Sequence, residues 1–564
     1  MGPEVTEGHR FLLLVVVASL SGLLPSELPH RAGTQVPRDF DAVVVGAGFA
    51  GLYMLYRLRA LGLRVRVFEA GGGVGGTWYW NRYPGARCDV ESLDYSYAFS
   101  EELQQEWEWT ERYASQPEIL RYLEHVAERF DLLRDVQLET RVLAAHFDDA
   151  RNAWQIETDR GLVAATYCIM ATGPLSCALT PAIPGHEEFR GATHHTGRWP
   201  HAGVDFRGLR VGLVGTGSSG VQAIPLIARE AADLTVFQRT ATYAVPGHNA
   251  PLSPEYQRDV KQRYRAFRTI GRQKHLGFGA DYPTAGDLGS ATGSAERAAR
   301  YQEYWERGGL HFMGAFVDLM LDAQVNETAA EFVRGKIGGV VADAAVAERL
   351  SPRQVIGCKR LCVDTGYYET FNRENVHLVD VGRTPITSFT ERGLRVGDTE
   401  YVFDAVVFAT GFDAMTGALD RIDIRGRAGQ ALKEKWSAGP RTYLGLGIAG
   451  FPNFFVVVGP GSPSVISNMV PAIEQHVDWI ADCIAHLRSR GFRRIEATPE
   501  AEDAWVAHVN EMASFTLFPT CNSWYLGANV PGKPRVFMPY LSFPLYAAKC
   551  AEVVANGYEG FALG

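Results

Sequence analysis

Two short glycine-rich turns carry the clearest chemical pattern in the chain. The first spans residues 46–51 and the second residues 215–220, and both have the form G-x-G-x-x-G. Each follows an apolar run typical of a buried strand and precedes an apolar-periodic stretch typical of a helix. Glycine permits the tight turn and lets the helix N-terminus face a pyrophosphate. In this context the turns predict two dinucleotide sites, and two close-packed turns without a ligand are the less favoured alternative.

The two predicted sites differ in the residue at the end of the second strand of each unit. The first unit has Glu69 there, and the second has Arg239 followed by Thr240. A carboxylate accepts hydrogen bonds from a ribose diol and repels a 2′-phosphate, whereas an arginine pairs with that phosphate. The first site is therefore predicted to hold FAD or NAD, and the second NADPH. The alternative for Arg239 is an ordinary solvated surface arginine.

Strand-turn-helix-strand units must position these residues. Strands are predicted over residues 40–45 and 63–68 in the first unit, and over 211–214 and 234–237 in the second. Between about residues 253 and 350 the pattern changes to charged amphipathic helices. The predicted fold class is α/β, with two Rossmann-like dinucleotide-binding domains and a helical insertion.

Length, composition and charge limit the classes of protein. A chain of 564 residues exceeds one compact core, and 46% hydrophobic with 21% charged residues indicates a globular protein. The net charge is −9 and no basic run is dense enough to follow a phosphate backbone, so nucleic acid is not an expected partner.

The eight cysteines are scattered along the sequence. The closest pair, Cys358 and Cys362, lacks the second half of a zinc site, so no metal is predicted. We interpret all eight as reduced cysteines of a cytosolic protein.

Residues 11–24 are almost wholly apolar. Such a segment is shorter than the about 20 residues that span a bilayer, and acidic residues before it with no A-x-A site after it fit a signal peptide poorly. A peripheral membrane anchor, an extension arising from the choice of start site and an export signal all stay open. We predict a cytoplasmic location, with peripheral membrane association as the alternative.

A flavin site and an NADPH site in one chain suggest hydride delivery to the flavin. A disulfide reductase would need a redox-active cysteine pair just after the first nucleotide unit, and Cys88 stands alone there. The G-x-S-x-G elbow of serine esterases is absent from the sequence. Neither of those enzyme classes is therefore favoured.

Longer motifs carry a family resemblance. Residues 75–89 read GGTWYWNRYPGARCD, and the segment between the two nucleotide units contains Phe189-x-Gly191-x-x-x-His195-x-x-x-Trp199-Pro. Both resemble the signature sequences of Baeyer-Villiger monooxygenases, the FAD- and NADPH-dependent enzymes that insert oxygen beside a ketone carbonyl. Trp199 stands where related N- or S-oxidising flavin monooxygenases usually have Phe or Tyr.

The resemblance covers nearly everything from residue 40 to residue 560. It is closest to the phenylacetone and steroid monooxygenase branch, through GCKR at 357–360, GPGSPS at 459–464 and NSWYLGANVPGK at 522–533. Near the C-terminus, residues 540–544 (YLSFP) depart from the Gly-Gly pair before an aromatic that the family usually has, and this region is shortened.

The resemblance implies catalytic roles for Arg360 and Asp89. In the family a C4a-peroxyflavin attacks the ketone while its peroxide is deprotonated, so a fixed cation beside it is needed. Arg360 matches the active-site arginine, and Asp89 matches the carboxylate that orients it. The alternative for the two residues is a structural ion pair.

Cofactor and substrate contacts follow from the same resemblance. The implied FAD contacts are Gly46, Gly48, Phe49, Gly51, Glu69, Thr77, Trp78, Asp89, Tyr95, Val142 and Met469. The implied NADP contacts are Gly215, Thr216, Gly217, Ser218, Gly220, Gln222, Arg239, Thr240, Lys359, Arg360 and Trp524, with Trp524 on a loop that closes over the nucleotide. Ser464 and Val465 match a loop that shapes the ketone pocket. His195 matches a residue at a domain linker, where a structural and a direct role both stay open.

Six segments are predicted along the chain. Residues 1–38 form an N-terminal extension, 39–170 the first part of the FAD-binding domain and 171–250 the first part of the NADPH-binding domain. The helical insertion (251–345), the second NADPH-binding part (346–402) and the second FAD-binding part (403–564) follow. The strand-end triplets at 171–173 and 409–411, both Ala-Thr-Gly, mark where the chain could pass between the nucleotide domains.

The main prediction is thus a monooxygenase that converts a ketone, bulky or cyclic, to an ester or lactone. A flavin monooxygenase that oxidises nitrogen or sulfur is the first alternative. A non-catalytic NADP-binding sensor is the alternative of another class. The sequence gives no indication of the oligomeric state.

Overall fold

The computed structural model describes residues 39–283 and 286–564. The apolar segment 11–24, and the membrane anchor considered for it, lie outside the described residues. Within those two ranges, no helix combines the length and the apolar character that a bilayer crossing requires.

Strands and helices alternate through most of the described chain. In chain order the strands are β1 (Phe40–Val45), β2 (Val65–Phe68), β3 (Val136–Gln137), β4 (Val142–Asp148), β5 (Ala153–Thr158), β6 (Gly161–Met170), β7 (Ala192–His195), β8 (Arg210–Val214), β9 (Asp233–Gln238), β10 (Ala244–Pro246), β11 (Cys362–Asp364), β12 (Val376–Asp380), β13 (Ile386–Thr390), β14 (Gly393–Val396), β15 (Thr399–Val402), β16 (Ala405–Phe408), β17 (Asp423–Arg425), β18 (Phe454–Val456), β19 (Ile495–Ala497) and β20 (Phe561–Leu563). The helices are α1 (Phe49–Ala60), α2 (Thr77–Trp80), α3 (Glu101–Glu106), α4 (Gln116–Arg129), α5 (Ser218–Glu230), α6 (Pro254–Gln262), α7 (Tyr264–Gln273), α8 (Ser294–Arg307), α9 (Ala323–Val340), α10 (Ala344–Leu350), α11 (Tyr367–Thr370), α12 (Leu432–Lys435), α13 (Met469–Arg490), α14 (Pro499–Ser514) and α15 (Phe543–Ala555).

The first sheet has the strand order β17-β4-β5-β6-β1-β2-β3, and β18 also pairs with β6. β1 runs parallel to β2 and β6, whereas β4, β5 and β6 pair antiparallel. Val43 and Val44 of β1 are fully buried in two different core clusters, because a strand between parallel neighbours is covered on both faces. The first glycine-rich turn leads from β1 into α1, at the carboxyl edge of this sheet.

The second sheet has the order β12-β9-β8-β16-β7, and every pair in it is parallel. The second glycine-rich turn leads from β8 into α5. The predicted α/β class with two Rossmann-like units is confirmed. The boundary expected at 402/403 would assign β16 to the first domain, but β16 pairs with β7 and β8. We therefore place that boundary after Phe408.

Helices α6 to α10 form the insertion. The chain enters it after β10 and leaves it before β11, and these strands pair in parallel with Ala244 opposite Cys362. The rings of Tyr301, Phe312 and Phe332 pack together in it, with centroids at most 6.1 Å apart. Because β11 begins two residues after Arg360, the end of the insertion fixes the position of that arginine.

Two linkers join the sheets, and they pair with each other. Leu179 N donates to Gly411 O at 2.9 Å, and Asp413 N donates to Cys177 O at 2.8 Å. Each linker begins at one of the Ala-Thr-Gly triplets that end β6 and β16. Residues 174–179 and 411–415 are called the paired linkers below. The two crossings between the sheets therefore lie side by side.

Cys358 and Cys521 form a disulfide, with Cα atoms 5.5 Å apart. The interpretation of every cysteine as reduced is wrong for this pair, whereas the other six are free thiols. The two residues are separated by 163 positions and meet because the segment after α14 packs on the insertion. There Leu517 N donates to Met320 O at 2.9 Å. A contact of this range has no local sequence pattern.

Asp94 is a buried carboxyl group where the insertion meets the first sheet's domain. Its backbone carbonyl accepts hydrogen bonds from Arg268 at 2.9 Å and Asn468 at 3.0 Å, and its Oδ2 accepts one from Gly279 N at 3.2 Å. Burial raises the pKa of Asp94 to about 7. The Arg268 guanidinium opposes this shift, and the carboxylates of Glu91 and Asp281 add to it.

Asp94 should lower the stability of the fold as the pH rises. Its pKa is about 7 in the folded state and about 3.9 in an unfolded chain, so the folded state binds more protons between these values. The contribution is complete below about pH 4 and is lost as the pH rises through about 7. Asp94→Asn removes this titration. We expect the melting temperature of the variant, relative to that of the unaltered protein, to rise by a few degrees (about 2 to 4 °C) between pH 5 and pH 8.

The matched control is Glu296→Gln, at an exposed position on α8. Its melting temperature relative to the unaltered protein should be the same at both pH values. An Asp94→Asn difference that does not change between pH 5 and pH 8 would contradict the assigned titration.

Candidate active site

Both glycine-rich turns have the geometry that a phosphate group requires. Gly46 has φ +104° and Gly215 has φ +110°, values that L side chains rarely adopt. A Cβ at Gly46 would lie 2.6 Å from Ala171 O, and one at Gly215 would lie 2.5 Å from Ala409 O. Each turn therefore packs directly against the strand-end triplet of its own sheet. The third glycines, at 51 and 220, leave no space for a Cβ beside the first ones.

The helices after these turns begin without side-chain caps. Gly48 and Gly217 are the N-cap residues of α1 and α5, neither helix has a side chain bound to its first amides, and neither has an acidic residue in its first turn. Uncapped N–H groups at a helix N-terminus are donors for an anion. The chain thus fits a dinucleotide pyrophosphate at both turns.

Glu69 lies at the end of β2, as predicted, and is only 6% exposed. Its Oε2 accepts a hydrogen bond from Ala47 N at 2.8 Å, and its Oε1 accepts one from Gly71 N at 2.7 Å. A carboxylate oxygen can accept more than one hydrogen bond, so both oxygens keep capacity for ribose hydroxyls. The structure adds a role that the sequence did not indicate, because Glu69 also closes the first turn.

Arg239 and Lys359 form a cationic corner beside the second turn. Arg239 directly follows β9 and is exposed with Thr240, whose carbonyl accepts a hydrogen bond from Thr216 Oγ1 at 3.1 Å. Burial lowers the pKa of Lys359, and the nearby charge of Arg239 lowers it further. Among the described residues, neither cation forms an ion pair with a carboxylate. Two unpaired cations at this edge suit a 2′-phosphate.

Gln222 lies in a different setting from the one expected for a phosphate ligand. Its Oε1 accepts a hydrogen bond from the Tyr83 hydroxyl at 2.7 Å, and its Nε2 donates to Arg87 O at 3.1 Å. The side chain therefore joins α5 to the segment after the first nucleotide unit. Ser218, by contrast, is exposed at the start of α5.

Arg360 and Asp89 form an ion pair in the interior, with 18% and 21% of their side chains exposed. Arg360 Nε donates to Asp89 Oδ2 at 2.5 Å and Nη2 donates to Oδ1 at 2.8 Å, while Nη1 donates to Val465 O at 2.6 Å. Burial disfavours the charged guanidinium, but the attraction of Asp89 outweighs it and the pKa of Arg360 lies above its usual range. The arginine is thus held in a fixed position and keeps its charge.

Aromatic residues lie together next to the first turn. Trp78 Nε1 donates to the Tyr95 hydroxyl at 3.1 Å, and the rings of Phe49 and Tyr95 meet edge to face at 5.3 Å. Thr77 begins α2 beside Trp78, and Met469 begins α13 and packs on the same core cluster. Val142 is buried in a different core cluster, so its side chain is not brought to this group.

The signature motif lies at the paired linkers. His195 Nδ1 accepts a hydrogen bond from Gly197 N at 2.9 Å, so its Nε2 carries the proton and faces Thr410 Oγ1 at 3.2 Å and Leu179 O at 3.4 Å. These two partners belong to opposite crossings. Burial lowers the pKa of His195, which favours the neutral ring.

The other signature residues pack around this histidine. Trp199 is buried against the rings of His194 and Phe206. The ring of Phe189 lies 5.4 Å from that of Phe389, and a Cβ at Gly191 would lie 2.6 Å from Asp404 O. The motif thus connects the second sheet to the paired linkers, and its side chains pack in that region.

The substrate loop and the nucleotide loop both reach the arginine. Ser464 and Val465 are buried, and Val465 supplies the carbonyl that Arg360 binds. Trp524 is half-buried, with its ring 4.4 Å from that of Tyr525. Of the residues expected to act on a ketone, Asp89 and Val465 are thus in direct contact with Arg360.

Comparison with known proteins decides the family. Residues 43–275 match the family described as pyridine nucleotide-disulphide oxidoreductase. A solved structure of oxidized steroid monooxygenase bound to NADP has a TM-score of 0.89 and 53% identity, covering 93% of this chain and 99% of that chain. A Baeyer-Villiger monooxygenase of Pseudooceanicola batsensis is 42% identical over 93% of this chain and 96% of its own length. The chain belongs to the Baeyer-Villiger monooxygenase family.

Membership in the Baeyer-Villiger family confirms the predicted enzyme class and the FAD and NADPH cofactors. A further relative, phenazine N-monooxygenase PhzNO1 of Lysobacter antibioticus, is also 42% identical, over 93% of this chain and 97% of its own length. Overall identity therefore does not separate ketone from nitrogen oxidation.

Tyr525 is a site residue that the sequence analysis missed in this Baeyer-Villiger monooxygenase. Its side chain is 3% exposed, and it lies close enough to Arg360 to interact with the charge of the guanidinium. Burial raises the pKa of Tyr525, so the phenol stays neutral. Its position next to Trp524 in the motif at 522–533 was the only available signal.

Proposed function

We propose that this chain uses FAD, NADPH and O2 to insert one oxygen atom beside the carbonyl group of a ketone, giving an ester or lactone. The observation that carries the proposal is the buried Arg360–Asp89 pair, whose guanidinium also reaches the Val465 carbonyl. A fixed cation in a partly dry site stabilises negative charge far more than one in water.

Arg360 is proposed as the catalytic residue that faces the reacting oxygens. Its raised pKa means that it gives no proton to an oxygen nucleophile, which therefore keeps its negative charge. The same guanidinium suits the oxyanion that develops on the ketone oxygen during attack. Asp89 is proposed to orient the guanidinium through two hydrogen bonds.

The two turns are proposed to hold the cofactors. When bound, FAD reduced by NADPH supplies the activation of O2. The first turn with Glu69 suits the FAD pyrophosphate and ribose, and Phe49, Trp78 and Tyr95 offer an aromatic wall next to it. The second turn with Arg239 and Lys359 suits NADPH, since it provides the unpaired cations for the 2′-phosphate.

A bulky ketone is the substrate class that we propose. The support is the 53% identity to a protein named as a steroid monooxygenase, which exceeds the 42% to the two curated relatives above. Substrate contact through Ser464 and Val465 is part of this proposal, because Val465 binds Arg360 and Ser464 directly precedes it. We also propose a cytoplasmic location, with membrane contact by residues 11–24 as the alternative.

Oxidation of an aromatic nitrogen is the second candidate function. It is favoured by the relative named as a phenazine N-monooxygenase. A neutral amine or sulfide needs a protonated, electrophilic oxygen donor, whereas a ketone needs an anionic one. The permanent charge of Arg360 therefore favours the ketone.

The products of three probe compounds test the proposal. The flavin-loaded enzyme with NADPH is given a steroid ketone or cyclohexanone, methyl phenyl sulfide, and phenazine under ¹⁸O₂, and the products are identified by mass spectrometry. We expect an ester or lactone carrying one ¹⁸O atom from at least one ketone. Sulfoxide or N-oxide without any ester or lactone would contradict the proposal. No NADPH oxidation with any probe would instead favour the sensor hypothesis.

A further inference from the structure

Residues 521–533 form a strap, named here the lid strap, that connects two parts of the site. Near its start, Cys521 is bonded to Cys358, and Tyr525 lies within reach of the charge of Arg360. Near its end, Asn529 Nδ2 donates to Phe412 O at 2.7 Å. Lys533 Nζ binds Asp413 Oδ1 at 2.8 Å. The strap therefore runs from the arginine to one of the paired linkers.

We propose that the Cys358–Cys521 disulfide is a positioning link that holds the lid strap in place for NADP binding. This inference rests on the proposed function, because it assigns Trp524 of the strap to the bound nucleotide. Cys358 is one residue before Lys359 and two before Arg360, and Cys521 is three before Trp524. One covalent bond thus fixes both sides of the proposed nucleotide site.

The other contacts of the lid strap explain why the disulfide matters at the end that begins with Cys521. The far end is held by an ion pair and an amide hydrogen bond. The near end is held by the disulfide, by the hydrogen bond from Met538 N to Tyr525 O at 3.1 Å and by the short turn in which Leu526 N donates to Ser523 O at 3.0 Å. A cross-link that limits the conformations of a free loop lowers the ordering entropy lost when a ligand binds. Reduction should therefore weaken NADP binding without removing any phosphate contact.

Reduction of the link requires a dithiol reductant from outside the protein, and this reductant must reach two cysteines that are only 4% and 6% exposed. Its thiolate attacks one sulfur of the disulfide, a mixed disulfide forms, and the second thiol of the reductant releases it. The protein gains two thiols, and the dithiol becomes an intramolecular disulfide, so two electrons and two protons are transferred. The free thiol of Cys362, four residues after Cys358, does not compete, because burial raises its pKa to about 11 and keeps it protonated.

Thiol counting tests whether the link forms. The denatured, unreduced protein should show six reactive thiols, matching the six free cysteines, and the reduced protein should show all eight. Eight thiols before reduction would overturn the proposal.

NADP affinity tests what the link does. The dissociation constant of NADP⁺ for the flavin-loaded enzyme is measured before and after treatment with dithiothreitol, with thiol counts as proof of reduction. We expect reduction to raise this constant by about 5- to 50-fold, the scale of ordinary coupling between sites. The hydrogen peroxide released per NADPH should rise with it, while the rate of flavin reduction at saturating NADPH should stay within about twofold. An unchanged dissociation constant in fully reduced enzyme would overturn the proposal.

Two variants make the test specific. Cys358→Ser combined with Cys521→Ser should bind NADP⁺ as the reduced enzyme does and should not respond to dithiothreitol. Cys177→Ser alters a half-exposed free thiol and should keep the full response. A response that persists in the double variant would overturn the proposal. Because these measurements do not use the substrate, they stay valid even if the ketone prediction fails.

Discussion

Arg360→Ala is expected to be reduced by NADPH at close to the normal rate and to form ester or lactone about 10³-fold more slowly. Removal of one preorganised charge or donor at a developing oxyanion costs about 10²- to 10³-fold in turnover. The loss of the Arg360 cation should be at the upper end of that range, because Asp89 would then place an unpaired negative charge beside the reacting oxygens. Anaerobic stopped-flow absorbance measures flavin reduction, and product analysis measures oxygenation.

Arg210→Ala is the matched control for this variant. Arg210 binds Asp404 through the same two-point geometry, with Nε and Nη2 at 3.1 and 2.8 Å, but at the exposed start of β8. It should keep near-normal ester formation. Arg360→Lys, which keeps a charge but loses the fork, should restore only a small part of the activity. Near-normal ester formation by Arg360→Ala would refute the assigned role.

Arg239→Ala should reduce the preference for NADPH over NADH by about 1 to 3 kcal/mol, or about 5- to 150-fold in the ratio of the two kcat/KM values. The reason is that the exposed guanidinium and Lys359 offer the cationic contacts at this corner. NADH lacks the 2′-phosphate, so its kcat/KM should change little. Steady-state kinetics with both nucleotides measures the ratio.

Arg229→Ala serves as the control, because Arg229 is an exposed arginine in the last turn of α5 in the same nucleotide unit. The ratio of its kcat/KM values for NADPH and NADH should equal that of the unaltered enzyme. Arg239→Ala combined with Lys359→Ala should lower the preference further. An unchanged ratio in the Arg239 variant would mean that the 2′-phosphate is bound elsewhere.

Local periodicity predicted the nucleotide units closely. The strand predicted over residues 40–45 is β1 itself, and the strand predicted over 234–237 extends by one residue at each end in β9. The helix that follows the second glycine-rich turn begins inside that turn, at Ser218, with Gly217 as its N-cap residue. Such elements depend on residues within one turn or strand, so a short sequence window specifies them.

Contacts between distant segments were not accessible to the same reasoning. The Cys358–Cys521 bond, the Gln222–Tyr83 hydrogen bond and the Tyr525–Arg360 contact each depend on how separate units pack. Periodicity describes which face of an element is buried but not which residue it meets there. The Arg360–Asp89 pair was identified only because the family resemblance supplied the partner.

The pairing of the two linkers reduces the rotational freedom between the sheets. One crossing could swivel about its own axis, but two crossings joined by backbone hydrogen bonds, such as Leu179 N to Gly411 O, must turn together. Motion of one sheet relative to the other is then confined mainly to bending across the two paired linkers. His195 and the end of the lid strap both bind to the paired linkers. A substitution at the signature motif can therefore change how the enzyme opens while leaving every group at Arg360 in place.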